Sequence, residues 1–177
     1  MITSKRARRQ KLASVGFTKQ EWNLFKKEVK ACVEKAKANG YRVIPGVYVS
    51  KDFHGNGSCC ALGALSLCES DIYPVDNGSV VYYPSRGGKQ TFALSVQHFS
   101  KVLPNVGRAD ICLALECLEY GFEAYSGYCG ANNGFEIAQR SKESGDLDVV
   151  EKHMNMRAYL IGRKLRKECS IGNGLLI

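Results

Sequence analysis

A chain of 177 residues, 45% apolar and 24% charged, can bury a core without disulfides or metal and is too apolar for wholesale disorder. No run approaches the roughly 18 apolar residues that a membrane span needs, and the basic N-terminus lacks the apolar stretch of a secretory signal. The net charge of +8 is polarised: residues 1–42 hold twelve Lys/Arg against three Glu, residues 43–150 seven against twelve acidic residues, and residues 151–177 six against two. Basic ends around an acidic middle point to an acidic partner, nucleic acid foremost, against the blander account of a solvated tail and helix faces.

In chain order, Lys5, Arg6, Arg8, Arg9 and Lys11 form a basic arm with little to bury, expected to be flexible and able to neutralise phosphates without reading sequence. An organelle presequence is the weaker reading, because a helix begins too soon after it. Thr18-Lys19-Gln20-Glu21 is a capping box, with Phe17 and Trp22 at the staple positions. Trp22, Phe25, Val29, Cys32, Val33 and Ala36 then recur at helical spacing, and Asn39-Gly40 supplies the stop. Lys26 and Lys30, on the polar side of this helix, extend the phosphate-binding candidates.

Tyr41–Ile44 and Val47–Ser50 read as extended pieces broken by Pro45-Gly46. A turn-rich loop follows, and Ser58 is the expected N-cap of an apolar helix from Cys59 to Glu69. Ser79–Tyr83 and Gln90–Leu94 predict a β-hairpin around Pro84-Ser85-Arg86-Gly87-Gly88. Helices are expected over Ser95–Leu103, Asp110–Tyr120 and, capped by Asp146, from there to Cys169. The pattern predicts an α+β, mainly helical single domain with a small antiparallel β-hairpin: a basic arm over 1–16, a globular part over 17–171 and a tail over 172–177.

Eight cysteines lie largely in apolar, helix-like runs, which suits reduced thiols acting as small hydrophobes. A thiol at a helix N-terminus is a candidate nucleophile, because the terminal N–H groups favour thiolate. Cys59 or Cys60 would fill that role, with His98 the best-placed base among His54, His98 and His153, and Asp110 or Asn132 to orient it. The competing account is tight interior packing. Zinc knuckles are not complete: Cys112-x4-Cys117 and His54-x4-Cys59 each lack a matching second pair, so neither metal nor cofactor is expected. Gly55, Gly57 and Ser58 form a candidate anion-binding turn without the Lys-Ser/Thr ending of a P-loop, and Tyr125 and Tyr128 are candidates to stack on a base, so a nucleotide is a further candidate ligand.

Cys60-Ala61-Leu62-Gly63-Ala64-Leu65 resembles a segment of small uncharacterised bacterial and bacteriophage proteins. Their helix end Gly-Phe-Asp is matched by Gly121-Phe122-Glu123, with Glu for Asp, and their C-terminal Tyr-x-Leu/Ile-Gly-x-Lys/Arg pattern by Tyr159-Leu160-Ile161-Gly162-Arg163-Lys164. The resemblance covers scattered parts of residues 60–164; it implies a prokaryotic or phage origin and brings no catalytic residues. The resulting expectation is a non-enzymatic phage or mobile-element accessory protein in the bacterial host cytoplasm, with no membrane partner. It would bind nucleic acid, a host protein–nucleic-acid complex or a nucleotide signal, a role that includes inhibition of host defence. The alternative is a hydrolase or transferase with Cys59 or Cys60 as nucleophile.

Overall fold

The computed structural model describes residues 15–52, 54–69, 87–123 and 156–172. Among these, helix α1 (Lys19–Ala38) leads into strands β1 (Tyr41–Val43), β2 (Val49–Lys51) and β3 (Gly57–Cys59). Helices α2 (Ala61–Glu69), α3 (Gly88–Val102), α4 (Arg108–Glu123) and α5 (Met156–Gly172) follow. The architecture is a mainly helical α+β fold.

Helix α1 forms for the reasons its sequence displays. Glu21 N–H donates to Thr18 Oγ1 at 3.1 Å, and Thr18 N–H donates to Glu21 Oε1 at 2.9 Å, so two otherwise orphaned donors are satisfied. The Phe17 and Trp22 rings close the staple at 4.7 Å. Gly40, at φ +86°, turns the chain out of the helix in the left-handed conformation that glycine adopts without Cβ strain. All six residues of the predicted apolar stripe are buried. Val15, within the stretch assigned to the arm, also packs into the core.

The β element is a three-stranded mixed sheet in the order β1-β3-β2, with β3 parallel to β1 and antiparallel to β2. This corrects two expectations. Ser58 is not a helix cap: it sits mid-strand, paired with Arg42 on one side and Ser50 on the other, so the helix begins at Ala61 and not at Cys59. The small extended pieces on both sides claim the backbone of residues 57–59 before the helix can. Gln90–Leu94 is likewise helical, inside α3, while Ser79–Tyr83 lies outside the described residues. Thr91, Ser95, Val96 and Phe99 form its buried face, and Ser95 Oγ donates to the carbonyls of Thr91 (2.8 Å) and Leu62 (3.0 Å). Hydroxyls that satisfy themselves on backbone carbonyls can be buried. Their polarity hid the helical period.

Helix α2 is enclosed over Ala61–Leu67. A Cβ on Gly63 would lie 1.7 Å from the carbonyl oxygen of Tyr48, so α2 rests directly on the backbone of the chain leading into β2. Phe25, Phe99 and Phe122, with Leu62, Leu65, Ile111, Leu115 and Leu118, fill the centre. Helices α4 and α5 meet through Gly121 and Gly162. Helix α4 extends three residues beyond the predicted Tyr120 end, and α5 runs on through Gly172, into the stretch assigned to the tail. Its predicted cap, Asp146, lies outside the described residues.

Candidate functional site

The two adjacent thiols are interior. Cys59 ends β3 and Cys60 precedes α2, with relative exposures of 0% and 1%. Cys60 Sγ accepts from the Gly63 N–H at 3.4 Å and so caps α2, while the next amide, Leu62 N–H, donates to Glu119 Oε2 at 3.0 Å. The helix terminus is therefore met by a carboxylate from α4. A helix end favours a thiolate by about 0.3–1 kcal/mol, less than one pKa unit. Burial, followed by the adjacent Glu119, outweighs it and pushes the Cys60 thiol up; Cys59 is raised mainly by burial.

His98, expected to serve Cys59 or Cys60, faces a different sulfur. Its Nε2 lies 3.5 Å from Cys32 Sγ and 2.8 Å from Glu28 Oε1, and its Nδ1 lies 3.6 Å from Glu69 Oε2. Glu69 in turn pairs with Lys101, which holds its carboxyl below the usual range. The neighbouring Cys68 thiol first, and burial second, push Cys32 up, not down. No described imidazole has been placed beside Cys59 or Cys60. A second cluster lies deeper: ligand atoms of Cys60, Glu119 and Glu123 all fall within 4.8 Å of one another. Glu123 accepts from Gly46 N–H through both oxygens, each at 3.1 Å. Sequence reasoning missed both carboxylates, although Ile111, Leu115, Glu119 and Glu123 form one i, i+4 row that runs from apolar to acidic along α4.

In the candidate anion turn, Gly55 takes φ +83° and Gly57 packs against the Tyr41 ring. The turn has its own acceptor: one Asp52 carboxylate oxygen receives the His54 and Asn56 N–H groups, both at 2.9 Å, while Gly57 N–H donates to Gly40 O. Ser58 is held in β3. Tyr125, Tyr128, Asn132 and His153, and the arm residues Lys5, Arg6, Arg8, Arg9 and Lys11, lie outside the described residues.

Lys26 and Lys30 do come together with others. Helices α1 and α5 form the walls of a groove of about 620 Å³ lined by Lys26, Lys27 and Lys30 from one side and by Arg157 and Lys164 from the other. Glu168 is the one carboxylate on its lining, and Val29, Ile161 and Leu165 contribute apolar surface. No protein family, curated protein or solved structure matches this chain. Its chemistry therefore has to be read from the groove itself. The five cations are all exposed. Arg157 also stacks over the Trp22 ring, 5.3 Å from its centroid, which fixes one end of α5 against α1. Exposed lysines without a shaped pocket give sequence-tolerant attraction for phosphates and not readout of bases. The contributions of Arg157 and Lys164 were foreshadowed only by the basic excess of the C-terminal segment.

Proposed function

We propose that this chain is a non-enzymatic binding protein of a phage or mobile element that engages nucleic acid, alone or within a host protein complex, through the α1–α5 groove and the N-terminal basic arm. The observation that supports it is the convergence of Lys26, Lys27, Lys30, Arg157 and Lys164 on one surface from helices more than a hundred residues apart in sequence. Blocking host defence in the bacterial cytoplasm is the setting we assign to it, on the strength of three sequence motifs that resemble segments of bacterial and bacteriophage proteins. Among the described residues no helix is long and apolar enough to cross a membrane. A thiol hydrolase built on Cys59 or Cys60 gains no support from the geometry, since each sulfur is buried and raised.

The test is fluorescence anisotropy with short mixed-sequence duplex and single-stranded probes over a salt series. Binding should weaken steeply between about 50 and 200 mM salt, because cations that neutralise phosphates release counterions. K26E/K164E, which reverses one charge on each wall, should lower affinity by about tenfold or more at low salt. Affinity unchanged by that double variant would remove the groove from the interface.

A further inference from the structure

We propose that Glu28, Cys32 and His98 form a zinc site that ties α1 to α3, with the fourth position left to solvent. Glu28 and Cys32 stand one turn apart on α1, and His98 comes from α3. Helical spacing puts the first two on one face, and packing of the two helices brings His98 to it.

The distances decide between an ordinary hydrogen-bonded pair and a ligand set. Zinc held at about 2.3 Å by sulfur and about 2.0 Å by nitrogen or oxygen, at tetrahedral angles, separates sulfur from either donor by about 3.5 Å. Cys32 Sγ lies 3.5 Å from His98 Nε2 and 3.7 Å from Glu28 Oε1. The His98–Glu28 separation of 2.8 Å is a hydrogen-bond length, and it would have to open by about half an ångström around a tetrahedral ion. The Glu28 side chain, 30% exposed, has the freedom to do so. A Glu–His pair alone explains the 2.8 Å contact. It does not explain why Cys32 Sγ lies at ligand separations from both members of that pair, all three ligand atoms falling within 4.8 Å of one another.

Donor type and surroundings agree with zinc. One sulfur, one imidazole and one carboxylate are a borderline-soft set that suits zinc over calcium or magnesium. Ligation through Nε2 leaves the Nδ1 proton directed toward Glu69, the carboxylate 3.6 Å away, which is the usual orienting partner of a metal-bound histidine. Lys101 holds that carboxylate in place. The Cys32 thiol would release its proton on binding. With His98 at 14% side-chain exposure, the site lies close enough to the surface for an ion to reach it.

Reduced full-length protein titrated with zinc alone, against a chromogenic chelator, should bind about one ion per chain and melt at a higher temperature when loaded. Cobalt in place of zinc should give the intense visible bands of a tetrahedral site together with a thiolate charge-transfer band. E28A, at a partly exposed side chain, and H98Q should each abolish stoichiometric binding while circular dichroism reports folded protein. E69Q should weaken it by about tenfold without removing it, as loss of an orienting carboxylate does. C112S, on α4, should leave it unchanged. The proposal is overturned if folded wild-type protein binds no zinc, if E28A and H98Q bind it like wild type, or if the cobalt spectrum lacks the thiolate band.

Discussion

Glu119 is the most constrained ionisable residue described. Its side chain is fully buried, one oxygen accepts from Leu62 N–H at 3.0 Å, and the other, Oε1, has no hydrogen-bond partner among the described residues. Burial first, and the neighbouring Glu123 second, push its carboxyl well above the usual range. The folded chain therefore keeps this proton over a range where the unfolded chain, titrating near the ordinary value of about 4.3, has lost it. Stability is unaffected by this group at lower pH, where both states are protonated. It falls as pH rises through the unfolded value, by about 1.4 kcal/mol per pH unit at the steepest, and levels off above the folded one. E119Q removes the titration and retains an acceptor for Leu62 N–H. Its stability relative to wild type should thus improve by more than about 1 kcal/mol between about pH 5 and pH 8, read from urea midpoints. Parallel pH profiles for the two proteins would show that Glu119 does not retain its proton.

At the scale of elements, glycine sets the closest approaches. A Cβ on Gly121 would fall 2.1 Å from the Tyr159 carbonyl oxygen, and one on Gly162 would fall 2.0 Å from that of Leu118. Helices α4 and α5 thus touch backbone to backbone, and the Gly121 and Gly162 motifs noticed separately in the sequence are two halves of one crossing. G162A should force the helices apart at a cost of about 1–3 kcal/mol, more than the roughly 1 kcal/mol that Ala gains in helix propensity. A lowered denaturation midpoint checks this; an unchanged or raised one would mean that the crossing yields easily. T18A, by contrast, removes one local cap and should cost about 1 kcal/mol. The contrast marks what was legible. Helix α1 could be read almost to the residue because its cap, staple, stripe and stop are all local. Strand β3 could not, because its conformation is imposed by partners on both sides, nor could α3, whose Thr91 and Ser95 look polar and are nevertheless both buried, the Ser95 hydroxyl donating to backbone carbonyls. The Cys32–His98 pairing joins residues 66 apart in sequence, and no spacing rule reaches that far.

Across the whole molecule, the polarised charge of the sequence acquires a location. The described parts of both basic ends, α1 and α5, lie side by side, and Arg157 over Trp22 joins them. The acidic middle of the chain supplies carboxylates to other places: Glu119 to the start of α2, Glu123 to the Gly46 amide and Glu69 to His98 and Lys101. On the proposed reading, the groove and the basic N-terminal segment would share a polyanion. They should be separable by salt dependence, since each phosphate contact adds about −0.9 to the slope of log affinity against log salt on duplex DNA. Deleting residues 1–14 leaves Val15 in the core and removes the five arm cations, so it should flatten the slope without abolishing binding. Reversing Lys26 and Lys164 in the deleted chain should flatten it further. Binding carried by the arm alone would appear as complete loss on deletion and no effect of the groove charges, and it would reduce the groove to a solvated seam between two helices.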